Sequence, residues 1–456
     1  MQRFCVVLVM LVFFGSLLFA GGAQEEIEID PEDVDLPEQF MWPEDELGSL
    51  PTFPEYQGET IELTIETFSG GQAPYLEFFG ENFNALFPHF EVEFEVQIVP
   101  FGEMHDGLGA SLIAGTGAPD IITPHIGAGA ARFFQQPYAD EFLEIELPDG
   151  LQGQIARTSE YSDEQGRLLG VENAGAHPGF LYYRADLFEE AGVEMPIETW
   201  DEYVEAGEKL RENGHYLTSF GFQGPSEVSE LFSLAIVQGN TLWDGDEFIL
   251  NDDRTLEGLE AMVELINSGL ALDAGFDEED TIRRKVGAVE EGQIASFIGA
   301  DWVFNTRLMD HIEEPNWRIQ GVPRLPGAVA DYFTWGGTGL SVVESQTDYP
   351  ELAEAFLLYT LASGNQLYKF EEYLHLPVNQ IALNDPVIAE YTAPEYFGDQ
   401  VIGEVFVDGV QNMAGFELGN GYSAVDDQLE ATLNEALDDP EGWLQDLEDY
   451  WRAAIN

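Results

Sequence analysis

A glycine-rich segment, TWGGTG at residues 334–339, places a large aromatic ring beside three glycines and two hydroxyl groups. Glycine-rich loops can bind phosphate through converging backbone N–H groups, and such loops carry the pattern G-x-x-x-x-G-K-[ST] or G-x-G-x-x-G. Neither pattern fits this segment, and none of the three lysines of the chain, Lys209, Lys285 and Lys369, follows a glycine. The chemistry therefore excludes a phosphate cradle here. The strands and helices around this segment must show what Trp335, Gly336 and Gly337 face.

Catalytic and metal-binding motifs are missing from the sequence. It contains no H-E-x-x-H or G-x-S-x-G motif, and its seven histidines show no metal-ligand spacing. Its one cysteine, Cys5, excludes a disulfide or a paired-cysteine metal site. We therefore expect no catalytic residue, no metal and no cofactor. A glycoside hydrolase remains an alternative, because two carboxylates on either side of a sugar suffice for that reaction.

The charge of the chain restricts its partners. Its 456 residues include 87 acidic and 16 basic residues, for a formal net charge of -71, while 45% are hydrophobic and 12% aromatic. That much apolar sequence favours a folded, acid-coated globular protein over a disordered one. Near-molar salt shortens the Debye length to about 3 Å and relieves the repulsion between surface carboxylates, so a saline habitat is expected, with an acidic one as the alternative. Because no basic stripe is present, nucleic acid is not an expected partner.

The N-terminal residues resemble an export signal. One arginine precedes an apolar run from Phe4 to about Phe14, and small residues offer cleavage after Ala20 or Ala23. A transmembrane anchor is the alternative, although the run is short for a span of about 20 residues. No cysteine follows the run, which argues against a lipid anchor. We thus predict a signal peptide over residues 1–23, and a tether or draped arm in the acidic, proline-rich stretch 24–58.

From Thr60 onward the residue pattern predicts alternating strands and helices. TIELTIETFSG alternates as a half-buried strand, and the next segment spaces apolar residues at helical intervals. FEVEFEVQIVPF predicts a second strand, and MHDGLGASLIAGTGAPDII a helix followed by a short strand. This β-α-β-α-β order implies a largely parallel sheet whose ligands bind beyond the carboxyl ends of the strands.

Later segments show the same alternation of predicted strands and helices. PGFLYYRADLFEEAGVEMPIETWDEYVEAGEKL predicts an aromatic strand that runs into a helix and a second helix that begins at a cap, Thr199. QIASFIGADWVFNTRL predicts a strand, a turn and the start of a helix, and YPELAEAFLLYTLASGNQLYKF predicts one amphipathic helix.

The order of these motifs resembles that of the extracellular solute-binding proteins of bacterial ABC importers, in particular the sugar-binding, maltose-binding-protein-like branch. The similarity is carried by five segments and a final LPVN at 376–379: IAGTGAPDII, LYYRADLFEEAGVEMPIETWDEY, GADWVF, GVPRLPG and PELAEAFLLYTLASGNQLYKF. The sequence departs from the family in lacking the lipoprotein cysteine and in having the acidic arm.

The resemblance implies an α/β fold of two lobes, each with a parallel-rich sheet and flanking helices, joined by a hinge around a ligand cleft. It places the N-terminal lobe at 59–171 and 337–377, and the C-terminal lobe at 172–336 and 378–456. It also implies a monomer that binds a carbohydrate and delivers it to the transmembrane subunits of an ABC permease.

The loops that such a fold turns toward its cleft supply the candidate ligand contacts. By motif position these residues are Phe68, Ser69, His125, Asn173, His177, Asp301, Trp302, Trp335, Gly336, Gly337 and Tyr422. A sugar ring offers an apolar C–H face and a rim of hydroxyls, so aromatic and planar hydrogen-bonding side chains suit it.

Three of these residues have competing interpretations. Trp302 is either a sugar platform or core packing, and His125 either a ligand contact or an ordinary surface histidine. Asp301 either caps the helix that begins at Trp302 or contacts a hydroxyl. A binding protein for another solute, such as a polyamine, shares the predicted fold and is the remaining alternative to a carbohydrate carrier.

Overall fold

The computed structural model describes residues 36–220, 243–244, 247–248, 250–274, 279–312, 314–328, 330–333, 336–414, 428, 431–432 and 435–454. The strands are β1 (Thr60–Thr67), β2 (Glu91–Ile98), β3 (Ile121–Ile122), β4 (Val171–Glu172), β5 (Gly179–Arg184), β6 (Thr218–Phe220), β7 (Trp243–Asp244), β8 (Glu247–Phe248), β9 (Ala271–Asp273), β10 (Ser296–Ala300), β11 (Trp317–Gln320), β12 (Tyr332–Phe333), β13 (Gly339–Val342) and β14 (Met413–Ala414).

The α-helices are α1 (Glu44–Leu47), α2 (Ala73–Ala85), α3 (Phe101–Ala114), α4 (Ala131–Phe133), α5 (Ala185–Glu190), α6 (Trp200–Glu212), α7 (Asp253–Asn267), α8 (Glu279–Glu290), α9 (Asp301–Val303), α10 (Pro350–Leu361), α11 (Ser363–Tyr373), α12 (Gln380–Leu383), α13 (Pro386–Ala389), α14 (Pro394–Phe397), α15 (Ile402–Asn412) and α16 (Pro440–Ala454). Within the described residues, no helix is both long and apolar enough to span a membrane. The predicted signal peptide lies outside the described residues.

The first sheet has five strands in the order β2-β1-β3-β13-β4. β1, β2 and β3 are parallel and are connected by α2 and α3, which confirms the predicted β-α-β-α-β order. The alternation on β1 turns Ile61, Leu63 and Ile65 into the core, where each is at most 1% exposed. Because parallel strands end at one edge of a sheet, the loops after β1, β2 and β3 lie together. We call this edge, formed by residues 68–72, 99–101 and 123–126, the cleft edge.

The second sheet is mixed, whereas a parallel-rich one was expected. β5 pairs antiparallel with both β10 and β11, while β6 pairs parallel with β9. Backbone bonds of 2.9 Å from Ala295 and Ser296 to Tyr216 and Leu217 place β6 beside β10. The aromatic strand β5 is central and buried, and α6 begins at the predicted cap, where Thr199 and Glu202 form a reciprocal capping box.

The chain crosses between the two sheets three times. It leaves β4 at Glu172 and enters β5 at Gly179, returns between β12 and β13, where residues 336–338 are described, and crosses again after α11 through residues 374–379. The N–H of Ala176 donates to the carbonyl of Leu376 at 2.9 Å, and the N–H of Asn173 donates to the carbonyl of Thr338 at 2.7 Å. The three crossings therefore form one hydrogen-bonded unit on the β4 side of the first sheet.

The segment predicted as one amphipathic helix from Pro350 is two helices, α10 and α11, separated by an extended Ala362. The break is stabilised by a carboxylate from the acidic arm: Glu46, which is 5% exposed, accepts from the N–H of Ser363 at 2.9 Å and from its hydroxyl. A buried carboxylate at the first N–H of a helix offsets the lost continuity.

The described part of the acidic arm, residues 36–58, is draped over the first lobe. Trp42 stacks on Tyr359 with ring centroids 6.3 Å apart, and the Tyr359 hydroxyl donates to the carbonyl of Phe40 at 2.7 Å. The amide of Asn379, in the third crossing, donates to Glu46 at 3.0 Å. Of the two predicted arrangements, the described residues adopt the draped one.

Candidate functional site

The cleft edge faces the second sheet because the crossings leave from it. β13 begins at Gly339, whose N–H donates to the carbonyl of Pro124 just beyond β3 at 2.9 Å, and it pairs there with Glu172 at the end of β4. The chain therefore passes to the second sheet beside the loops that end the parallel strands. The space beyond this edge is the candidate ligand cleft.

A buried amide network links the first loop of the cleft edge to two of the crossings. The side-chain carbonyl of Gln72 accepts from the Thr67 hydroxyl at 2.8 Å and from the Asn173 amide at 3.2 Å. The Gln72 amide donates to the Thr338 hydroxyl at 2.6 Å. The carbonyl Oδ1 of Asn173 is buried without a hydrogen-bond partner in the structure. Sequence reasoning predicted Asn173 but missed Gln72, although Gln72 directly follows the strand-ending SGG.

An ion cluster fixes the crossings below this network. Glu172 is 1% exposed. One of its carboxylate oxygens forms an ion pair with Arg157 at 3.0 Å and accepts a hydrogen bond from the Tyr161 hydroxyl at 2.7 Å. Its other oxygen accepts the N–H groups of Ala174 at 3.0 Å and Thr338 at 3.1 Å. Burial opposes the charge of Arg157, but the neighbouring Glu160 and Glu172 carboxylates raise its pKa above the ordinary value, so it stays cationic.

Gly337 is a glycine because of this cluster. Its φ is 145°, and a Cβ there would lie 2.7 Å from the Arg157 guanidinium and from a Glu172 carboxylate oxygen. Of the two glycines, only Gly336 has open space beside it, since a Cβ there would meet no atom within 4 Å. The carbonyl of Gly336 is held by Arg157 at 2.6 Å. Sequence reasoning missed Arg157, Glu172 and Tyr161.

A histidine of the first crossing meets the aspartate that begins α9. His177 Nδ1 lies 2.8 Å from Asp301 Oδ1, and the N–H of Leu376 donates to Asp301 Oδ2 at 3.3 Å. Both side chains are buried, at 4% and 3% exposure. Burial alone would raise the pKa of Asp301, but His177 lowers it below the ordinary value. Asp301 makes no side-chain cap on α9, so this pairing replaces the predicted capping role.

A buried lysine supports the same crossing. Lys369, on α11, is 1% exposed, and its ammonium donates to the carbonyl of Asn173 at 2.5 Å. It also lies 5.7 Å from the centre of the Tyr75 ring. Burial lowers the pKa of Lys369 to about 7. Lys369 is one of three lysines in the chain and stands between two aromatic residues, and this context in the sequence could have indicated a buried lysine.

Aromatic and histidine rings form the outer part of the cleft edge. Phe68 is half-buried, with its ring centroid 6.3 Å from that of His125. The N–H of Gly127 donates to His125 Nδ1 at 3.2 Å, so Nε2 is the donor nitrogen of the neutral ring. Burial lowers the pKa of His125 to about 3, which keeps this histidine uncharged at neutral pH.

The structure thus brings most predicted residues to one region but at different depths. Phe68, Ser69, His125, Trp302 and Gly336 are half-buried, whereas Asn173, His177, Asp301 and Gly337 are buried. Trp302 packs against both hydrophobic cores while retaining exposed surface. Trp335 and Tyr422 lie outside the described residues. Within those residues, no cluster of His, Asp or Glu could hold a metal ion.

Comparison with known proteins gives three findings. The chain matches the bacterial extracellular solute-binding protein family over residues 67–367. It is 30% identical over 332 residues to the arabinooligosaccharide-binding protein of Bacillus subtilis strain 168, with 68% of this chain and 71% of that protein covered. It is 26% identical over 373 residues to the arabinooligosaccharide-binding protein of Halalkalibacterium halodurans, with 78% and 79% covered.

Solved structures agree on the fold. The cyclic α-maltosyl-1,6-maltose binding protein from Arthrobacter globiformis superposes with a TM-score of 0.67 at 21% identity, covering 87% of this chain and 99% of that one. At this identity the similarity establishes a shared two-lobed α/β fold.

Proposed function

The chain belongs to the bacterial extracellular solute-binding protein family, and from that premise we propose that it binds a carbohydrate between its two lobes and delivers it to an ABC permease. The proposed lobes are residues 59–171 with 337–377, and residues 172–336 with 378–456. The arabinooligosaccharide-binding proteins to which the chain is similar support an oligosaccharide as the ligand.

The observation that carries the proposal is the presence of half-buried rings beside fixed polar groups, with Phe68 next to His125 at the cleft edge and Trp302 next to Asp301 at the crossings. Phe68 and Trp302 offer apolar ring faces, which suit the C–H face of a sugar. His125 offers a neutral N–H donor, and Ser69 a hydroxyl, for the sugar rim. In this proposal the ligand is contacted by these half-buried residues and by Trp335, Gly336 and Tyr422.

The buried predicted residues then have a supporting role. Asn173, His177, Asp301 and Gly337 hold the crossings in place through the amide network and the ion cluster. Groups that are fixed before the ligand arrives lose little entropy on binding, which favours affinity.

Charge argues for an uncharged ligand. Arg157, which lies at the crossings, already pairs with Glu160 at 2.5 Å and Glu172 at 3.0 Å, and Lys369 is buried with its ammonium on the backbone carbonyl of Asn173. A carboxylate ligand would have to compete with these partners against a net charge of -71. A neutral sugar meets no such cost.

Delivery to a permease requires a location outside the cytoplasm. We propose that residues 1–23 direct export and are removed, and that the mature protein acts as a monomer without a catalytic step or a cofactor. The relatives to which it is similar are binding proteins.

A thermal-shift screen in high salt tests the proposal. The panel contains arabinose, arabinobiose to arabinotetraose, the maltose series, galactobiose and spermidine. A bound ligand stabilises by RT ln(1 + [L]/Kd), so at one hundred times Kd we expect about 2.7 kcal/mol of stabilisation. Stabilisation by an oligosaccharide that is recovered intact supports the proposal. Stabilisation by spermidine alone, or release of shorter sugars, contradicts it.

A further inference from the structure

An exposed aromatic residue extends the cleft edge beyond the predicted site. Phe101, the first residue of α3, is 44% exposed, and Ile98 at the end of β2 is 58% exposed. The Phe101 ring centroid lies 4.9 Å from that of Phe68 and 5.4 Å from that of His125. A large apolar side chain left in water beside two rings of the proposed site is a candidate contact surface.

Hydrogen bonds join the backbone of Phe101 to the loop that follows β3. Nδ1 of His105, one turn along α3, donates to the carbonyl of Phe101 at 2.8 Å, and Nε2 of His105 accepts from the N–H of His125 at 3.1 Å. His105 is 3% exposed, and burial lowers its pKa from the ordinary value. The neutral histidine therefore joins the start of α3 to the loop after β3, so Phe101 and His125 are positioned together.

The sheet order places the end of β2, from which α3 starts, at the end of the first sheet opposite the crossings, and the Phe101 ring extends from there toward Phe68 and His125. The three crossings lie on the β4 side, and β2 is the strand at the opposite end of the five-stranded sheet. Four strand spacings of about 4.8 Å put the end of β2 about 19 Å from the end of β4. Asp301, the neighbour of Trp302, binds the first and third crossings, so a ligand that extends from Trp302 to Phe101 must be longer than one sugar ring.

We propose that Phe101, supported by Ile98 and Phe68, is a distal stacking platform at the mouth of the cleft that binds an outer ring of an oligosaccharide and selects for chain length. This inference rests on the proposed function, since it requires a carbohydrate in the cleft. An aromatic ring suits the C–H face of a sugar, and His125 Nε2 offers a hydrogen-bond donor at its edge.

Calorimetric titration with arabinose, arabinobiose, arabinotriose and arabinotetraose, or with the maltose series if the screen selects it, tests the platform. Phe101→Ala should weaken binding of the longest sugar by about three- to tenfold, the value of one stacking contact. The shortest sugar that binds should lose no more than about twofold. Phe101→Tyr keeps the ring and should restore the wild-type affinity for every length.

The control is Ile113→Ala, since Ile113 lies on the same helix and is 76% exposed, so it matches the loss of an exposed apolar side chain on α3. Equal affinities of Phe101→Ala and wild type for all lengths would overturn the platform and leave the proposed function intact. An equal loss for short and long sugars would also overturn it, because Phe101 would then contact the first ring. If wild type binds no sugar of either series, the proposed function fails, and the platform fails with it.

Discussion

Replacing Glu172 by glutamine should destabilise the protein without changing its surface. The carboxylate accepts the N–H groups of Ala174, Gly175 and Thr338 on one oxygen and pairs with Arg157 and Tyr161 on the other. An amide keeps the first set of bonds but turns an N–H group toward the guanidinium. Arg157 then loses one of its two anions in a site from which water is excluded.

The size of the effect follows from that geometry. Removing the charge of one partner of a buried ion pair lowers the unfolding free energy by about 3 to 5 kcal/mol. Because Glu160 still pairs with Arg157 at 2.5 Å, we expect a loss near the lower end. That loss is about 3 kcal/mol of unfolding free energy. The assay is urea unfolding followed by circular dichroism, since urea adds no ions to a chain of net charge -71.

The matched control is Glu164→Gln, which makes the same change of charge at an exposed position of the neighbouring turn. It should change the unfolding free energy by no more than about 0.5 kcal/mol. The difference between the two variants should persist from about 0.2 M to about 2 M NaCl, because screening does not reach a buried pair. If the two variants unfold at the same urea concentration, Glu172 does not fix the crossings and the account of the hinge is wrong.

Three further predictions concern charge. Raising NaCl from about 50 mM to about 2 M at neutral pH should raise the melting temperature by screening surface repulsion, and a flat melting temperature would contradict a saline habitat. Burial lowers the pKa of Lys369 from 10.5 to about 7, so between these values the unfolded chain binds a proton that the folded chain does not, and stability rises with pH. The stability advantage of Lys369→Met over wild type should therefore shrink from pH 7 to pH 10 in urea unfolding, and a constant difference would refute a neutral lysine in the fold. Glu46→Gln should cost about 1 to 3 kcal/mol by weakening the bonds to Ser363 and Asn379, whereas Glu44→Gln at an exposed site of the same arm should be neutral; equal melting curves for both would mean that the arm does not stabilise α11.

Local patterns predicted the elements that place the site. The alternation of Ile61, Leu63 and Ile65 predicted β1 because burial of one strand face depends only on neighbours two residues apart. Thr199 predicted the start of α6 for the same reason, since the capping box that it forms with Glu202 is contained in four residues. Asp120, directly before β3, accepts from the N–H of Thr64 at 2.8 Å and the Thr347 hydroxyl at 2.6 Å.

Such local patterns could not predict contacts between residues that are distant in the sequence. The break between α10 and α11 depends on Glu46, more than 300 positions earlier in the chain, so helical periodicity alone predicted one helix. Gly337 was predicted to be a ligand contact, but the atoms beside it belong to Arg157 and Glu172. The pair of glycines before β13 could not show that Gly337 is packed against other side chains while Gly336 is not.

The central claim, a carbohydrate held between the lobes, is tested most directly by titrating Trp302→Ala with the sugar selected by the screen. Loss of a stacked tryptophan should weaken binding by about tenfold to a hundredfold. Trp42→Ala is the control, since Trp42 is also half-buried but stacks on Tyr359 in the arm, and it should bind with wild-type affinity. The account predicts a loss for Trp302→Ala alone, with a melting temperature no lower than that of Trp42→Ala. Wild-type affinity in Trp302→Ala, together with a much lower melting temperature, would show that Trp302 is core and that the ligand binds elsewhere.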